Sequence, residues 1–300
     1  MIWWLGLLAQ TPPATALTVP AEHRLIEGVA ADGDTIWLSG VVDRRILAYR
    51  NGRFRAFAMP EGTGAPLGIA YDPMHRRLWI AANCPKGLRI ERCSGAALVA
   101  MDRSGRVRVK LRPAGDAIFT PGDVSVWRGQ VFVSDSANGA VYRCEGRCAH
   151  LTAVIAPRTK GSAQGSAAYA GGRKLLVADY GLGLISVDLA TLAETPVLLE
   201  DGTRLRGVDG LAAEGDGFVA VRNASVPGKV WRFRISPENR VRDLRIAGEG
   251  VGIVDPTQIA RAGTRFLVVG DSQWSAHLPD KDGRISGLQK PTPIVAIPAR

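Results

Sequence analysis

The feature that most constrains this chain is a motif repeated six times along its 300 residues. Its most regular copy is Gly165–Asp188. There a turn-prone entry leads to a short apolar run (Leu175–Ala178), an acidic turn (Asp179-Tyr180-Gly181) and a second apolar run (Leu184–Val187). Apolar runs of this length bounded by Gly and Asp read as buried strands rather than helices. Taking Gly28, Gly68, Asp123, Gly165, Gly210 and Gln258 as equivalent, the steps are 40, 55, 42, 45 and 48 residues. Repeats of that period, each holding several short strands, are the mark of propeller blades. One small sheet cannot bury both its faces, so the blades must pack on each other in a ring. The expected fold is all-β, a six-bladed β-propeller in a single domain over residues 17–300.

The pattern places the blades at about residues 26–57, 66–111, 121–155, 164–199, 208–247 and from 255 to the end. Residues 17–25 read as the outermost strand that closes the ring against the last blade. The polar stretch His277–Lys290 reads as a mobile connection before a last strand at Pro293–Ile297. No stretch carries sustained helical periodicity.

Residues 1–16 have the pattern of a secretion signal. Ile2–Ala9 is a short apolar core, and Ala14-Thr15-Ala16 is a small-x-small cleavage pattern. The apolar core is too short to span a bilayer, and no transmembrane segment is expected. The four cysteines agree with a periplasmic or secreted location. Cys84 and Cys93 bracket one loop, and Cys144 and Cys148 another. Four cysteines allow three pairings, of which these two local ones need no assumption about distant contacts. A zinc site is the alternative, but neither pair combines finger spacing with nearby histidines. The net charge of +10 is spread thinly, with no aromatic-rich binding module beside it, so nucleic acid is not an expected partner.

In propellers, function gathers where loops converge at the mouth of the central channel. The residues just before the turn into each innermost strand are Glu27, Leu67, Gly122 (or Asp123), Gln164, Asp209 and Thr257. Two carboxylates and an amide converging on one axis form an oxygen-ligand set for a hard cation such as calcium. The competing reading is that these acids cap turns or bond backbone amides.

Glu27-Gly28, Asp209-Gly210-Leu211-Ala212 and Val177-Ala178-Asp179-Tyr180-Gly181 resemble the senescence marker protein/gluconolactonase/luciferin-regenerating enzyme family. Arg44-Arg45-Ile46, Gly165, Ala220-Val221-x-Asn223, Asp255-Pro256-Thr257 and Ser272-Gln273-Trp274 resemble an uncharacterised exported bacterial branch of it. The resemblance covers nearly all of residues 17–300. It implies a six-bladed propeller and, for some members, metal-dependent lactonase activity. Carried over, Glu27 matches a metal-binding Glu, and Asp209 a metal-binding Asp that is also the catalytic base. Where the family has two Asn ligands, this chain has Gly122 and Gln164, so the implied metal set is Glu27, Asp209, Gln164 and, in compensation for Gly122, Asp123. Calcium is the first expectation for the metal, with zinc or manganese as alternatives. Asn223 and Gln273 are candidate substrate-orienting amides. The implied function is hydrolysis of a small lactone or ester by a monomer. The alternatives are a non-catalytic propeller holding a small ligand or protein partner at its mouth, and a strictosidine-synthase-like propeller. No Gly-x-Ser-x-Gly elbow is present, which disfavours serine hydrolysis.

Overall fold

The computed structural model describes residues 13–115 and 118–300. The first strand of the described residues is β1 (Ala14–Val19). Blade one follows as β2 (Ile26–Asp32), β3 (Thr35–Gly40), β4 (Arg45–Arg50) and β5 (Arg53–Ala58). Blade two is β6 (Ala65–Asp72), β7 (Arg77–Asn83), β8 (Ala97–Asp102) and β9 (Val107–Leu111). Blade three is β10 (Pro121–Trp127), β11 (Gln130–Asp135), β12 (Val141–Cys144) and β13 (Thr152–Ile155). Blade four is β14 (Ala163–Tyr169), β15 (Lys174–Asp179), β16 (Gly183–Asp188) and β17 (Glu194–Pro196). Blade five is β18 (Val208–Glu214), β19 (Gly217–Arg222), β20 (Lys229–Ile235) and β21 (Val241–Gly248). Blade six is β22 (Ile259–Ala262), β23 (Arg265–Val269) and β24 (Thr292–Pro298), completed by β1.

These strands form six four-stranded antiparallel sheets, the six-bladed propeller expected from the repeat. The ring closes where β1 pairs with β24. That strand was expected from residue 17; it starts at Ala14, so the Ala14-Thr15-Ala16 cleavage pattern lies inside it. The apolar core of the signal-like segment lies outside the described residues. Among the described residues, no helix is long and apolar enough to cross a membrane.

Both faces of each blade are buried, which explains why the inner strands are apolar without alternation. In β15, Leu175 and Val177 pack toward blade three with Phe132 and Val141. Their neighbours Leu176 and Ala178 pack toward blade five with Leu211 and Phe218. An equivalent apolar cluster lies between every other pair of adjacent blades. At roughly 25 cal/mol per Å² of apolar surface removed from water, such contacts are the main force holding the ring together.

The acidic turns are structural. Asp179 is buried, and its carboxylate accepts the backbone N–H groups of Ser162, Gly181 and Leu182 at 2.8–3.1 Å. Asp135 does the same for Thr120 and Ala137. Each therefore ties the entry of its blade to the end of the second strand. Both local cysteine pairs are disulfides, Cys84–Cys93 and Cys144–Cys148. The segment after β23, expected to be a loose connection, is instead folded and anchored. It opens with a single helical turn, α1 (Trp274–His277). Its Gln289 Oε1 accepts the Leu25 backbone N–H at 3.0 Å and lies 2.8 Å from His277 Nε2.

Candidate functional site

The innermost strands carry the site, and in blades one to five a bulge aims its residues. In blades one, two, four and five the pairing slips at Glu27-Gly28, Leu67-Gly68, Gln164-Gly165 and Asp209-Gly210, where two residues oppose one. A bulge bends the strand and redirects a side chain. Here the first residue of each pair is turned to the channel mouth. The glycine is required because neighbouring innermost strands touch. A Cβ on Gly28 would lie 2.5 Å from Leu67 O, one on Gly165 2.5 Å from Leu211 N, and one on Gly210 2.6 Å from Thr257 O.

Blades three and six break this rule: their second residues are Asp123 and Gln258. The two side chains meet across the channel, with Gln258 Nε2 donating to Asp123 Oδ1. Gln258 Oε1 accepts the backbone N–H of Val29 at 2.8 Å and of Ile69 at 3.1 Å. One buried amide thus binds four blades together and plugs the channel waist. Glycine at position 68 leaves room for this arrangement, since a Cβ there would meet Asp123 Oδ1 at 2.1 Å.

Above the plug lies a mouth pocket of about 380 Å³ whose lining includes Glu27, Gln164, Asp209, Tyr180, Trp274 and Lys86. At its base is a much smaller cavity of about 10 Å³, lined by Glu27, Gly122, Asp123, Gln164, Asp209 and their neighbours. That is about the space of one water-sized sphere. Four sequence-predicted residues, Glu27, Asp123, Gln164 and Asp209, therefore converge on one ion-sized cavity.

The carboxylates are oriented from behind. Trp274 Nε1 donates to Glu27 Oε2 at 2.6 Å, and Asn223 Nδ2 donates to Asp209 Oδ2 at 2.7 Å. Gln164 spends its Nε2 on Ser162 Oγ at 2.9 Å, which directs its carbonyl oxygen elsewhere. Glu27 Oε1, Asp209 Oδ1 and Gln164 Oε1 have no hydrogen-bond donor among the described residues. Asp123 is different: its Oδ1 is committed to Val124 N and Gln258, and the residue also lines the funnel below the plug. Asn223 thus supports Asp209. Gln273 holds the loop instead, bonding the backbone of Lys290 through both ends of its amide.

Burial of these acids without a cation is unfavourable. Desolvation pushes the Asp209 carboxyl up to about 7 against the opposing Asn223 bond, with Asp255 adding to the rise. Desolvation likewise takes Asp123 to about 7, with Asp209 adding to it. Glu27 is raised well above its ordinary value, first by burial and then by the charge of Asp209. Among the described residues that line the pocket, no arginine or histidine neutralises this group; Lys86, at the exposed rim, is the cationic side chain of the lining.

The donor chemistry fits a hard divalent cation: two carboxylate oxygens, an amide oxygen and room for water. Two anionic ligands would balance its charge. Among the described residues no group of three His, Cys, Asp or Glu is disposed to hold a metal alone, so the amide and solvent must complete any such shell. Gly122 contributes no side chain. The space its Cβ would enter lies 3.6 Å from Gln164 Oε1.

Trp274, Gln258 and Tyr180 escaped the sequence reading as site residues. The signal for Gln258 was available, because positions 123 and 258 are where the repeat lacks its glycine. Trp274 reaches Glu27 across 247 residues of sequence, and no local pattern announces it.

No protein-family model matches the chain, and no curated protein matches its sequence. Solved structures match its fold. A calcium-binding protein, regucalcin, from Agrobacterium tumefaciens strain C58 superposes with a TM-score of 0.65 at 17% identity, covering 98% of each chain. A putative oxidoreductase (glucose dehydrogenase) from Thermus thermophilus gives 0.61 at 11% identity, covering 95% of this chain and 98% of that one. The PQQ-bound aldose sugar dehydrogenase of Streptomyces coelicolor gives 0.58 at 12% identity, covering 96% and 99%. At these identities the likeness establishes a shared six-bladed propeller architecture, common to proteins of different activities.

Proposed function

We propose that this propeller is a divalent-metal-dependent hydrolase of a small lactone or ester, similar to the gluconolactonase family, and that it works in an oxidising, extracytoplasmic compartment. The observation that carries the reading is the ion-sized cavity at the base of the mouth pocket. Glu27, Asp209 and Gln164 line it, each with one oxygen left free by its supporting hydrogen bond. The calcium-binding description of the regucalcin neighbour and the two disulfides agree with it. Glu27, Asp209 and Gln164 would hold the cation, calcium first, with Asp123 beneath them. When bound it would supply Lewis-acid polarisation of the substrate carbonyl.

The chain's own residues do the rest. Asp209, its carboxylate oriented by Asn223, accepts a proton from a water that adds to the carbonyl carbon. The carbon–oxygen bond to the leaving alkoxide then breaks, and that oxygen takes the proton back from Asp209. Asn223 keeps the Asp209 carboxylate in one orientation throughout. Trp274 fixes Glu27 and walls the pocket, limiting access of solvent. A panel of γ- and δ-lactones and aryl esters, assayed with calcium, manganese or zinc after EDTA treatment, tests the reading. Turnover that needs added metal and disappears in Asp209→Asn supports it; turnover undiminished in that variant refutes it.

A second reading, a propeller that binds a small ligand without turnover, is favoured by Gly122. It leaves blade three with no mouth-facing ligand, so the set around the cavity is one side chain poorer. Metal binding by a protein inert on the whole panel supports that reading.

A further inference from the structure

The Cys84–Cys93 loop stands between two surfaces of opposite charge. One end gives Pro85 and Lys86 to the mouth pocket. The other end is pressed onto the seam of blades one and two, where Leu88 and Ile90 pack against Leu25, Val41, Ala65 and Leu67. With the disulfide closing it, the loop forms one wall of an open groove of about 630 Å³, far from the acidic cavity in character. Arg89 and Arg92 line that wall, and Arg24, Arg44 and Arg45 line the facing wall from blade one.

The charges in the groove do not cancel. Arg24 is spent on Asp43, which accepts its Nε and backbone N–H at 2.9 Å each. Arg44 is fixed but not neutralised: its Nη2 donates to Thr63 O at 2.8 Å and Pro60 O at 3.2 Å, and its Nε is buried with no partner. Arg45, Arg89 and Arg92 have no carboxylate within ion-pair distance among the described residues. Four guanidinium groups on two walls thus face only Glu22 and Glu91. Guanidinium forks match oxyanions in geometry, and the stapled loop spares most of the cost of ordering them.

We infer that this groove is a second ligand site, for a small molecule carrying two or more oxyanion groups that bridge the loop wall and the blade-one wall. It is bounded on both sides, so it takes a compact ligand rather than a polymer. It does not depend on the hydrolytic reading of the mouth.

The test is calorimetric titration of the whole protein, disulfides intact, with benzene-1,3-disulfonate, which does not chelate metals, and benzenesulfonate as the single-anion control. Low ionic strength keeps surface charges unscreened. The expected result is saturable one-to-one binding of the disulfonate, tighter than the monosulfonate by about tenfold or more. The Arg89→Ala/Arg92→Ala variant removes exposed side chains that make no hydrogen bond or ion pair among the described residues, and should weaken disulfonate by at least about tenfold. Arg147→Ala/Lys160→Ala, of the same net charge but on other blades, should leave it unchanged. Disulfonate binding no tighter than monosulfonate, or an equal loss in both double variants, would overturn the inference by reducing it to diffuse surface charge.

Discussion

Replacing Gln258 by leucine tests how the ring is locked. Leucine keeps most of the side-chain volume but removes every hydrogen bond of the amide. Val29 N and Ile69 N, bonded to Gln258 Oε1 at 2.8 and 3.1 Å, then become buried donors with no acceptor. Leaving such a group unsatisfied costs about 1–3 kcal/mol, so the pair costs about 2–6 kcal/mol. Asp123 also loses one of the two donors at its Oδ1, which adds to the loss wherever that carboxyl is ionised. We expect Gln258→Leu to lower the unfolding free energy by about 4 kcal/mol at pH 8. Urea unfolding followed by tryptophan fluorescence measures this, with an unchanged denaturant slope showing that the transition is still cooperative. Gln258→Glu is the companion: it keeps an acceptor but sets a second carboxyl against Asp123, so it should recover stability as pH falls. A loss under about 1 kcal/mol for the leucine variant would refute the reasoning, since it is less than even one unsatisfied buried donor should cost.

Three further outcomes are expected. In EDTA, the carboxyls of Asp209 and Asp123, held near 7 in the folded chain and near their ordinary value in the unfolded one, bind more protons when folded. Stability should therefore be greatest near pH 4, fall as pH rises through about 7 and level off above it, and urea unfolding at intervals across that range reads the trend. By the same argument Asp209→Asn should raise stability at pH 8 without metal while abolishing turnover, because it removes a buried charge and keeps an acceptor for Asn223; a melting temperature that drops instead counts against the strain assigned to this pair. Breaking the buried Arg232–Glu214 ion pair with Glu214→Ala leaves an uncompensated guanidinium, and should cost about 3–5 kcal/mol in denaturant unfolding.

Most of the fold was legible because the forces that make a propeller leave a periodic mark. Each inner strand is buried on both faces, so Leu175–Ala178 and its counterparts are apolar without a break. Each bulge needs a glycine where strands touch, so Gly28, Gly68, Gly165 and Gly210 recur. Blade limits read from that pattern agree with the strands to within a few residues. The disulfides were legible for a simpler reason: each pair closes a short local loop. Glu27, Gln164 and Asp209 could be placed at the mouth because each directly precedes the glycine of its repeat. What lay beyond reach depends on contacts made across the ring. Asp123 stands where a substitute for Gly122 is wanted, but its commitment to Gln258 is set by a residue 135 positions away. Trp274 and the anchored segment after it owe their places to blade one, and their polar sequence reads equally well as a loose loop. Asn223 and Gln273 look alike as loop amides; only their partners separate one that orients a carboxylate from one that secures a turn.

The central claim is that the channel-mouth carboxylates hold a divalent cation. The measurement that tests it most directly is calorimetric titration of calcium into EDTA-treated protein, repeated with Glu27→Gln and Asp209→Asn. One ion per chain, bound at least about tenfold more weakly by each variant, is the predicted result. No binding of calcium, manganese or zinc, or binding that both variants leave intact, would contradict it.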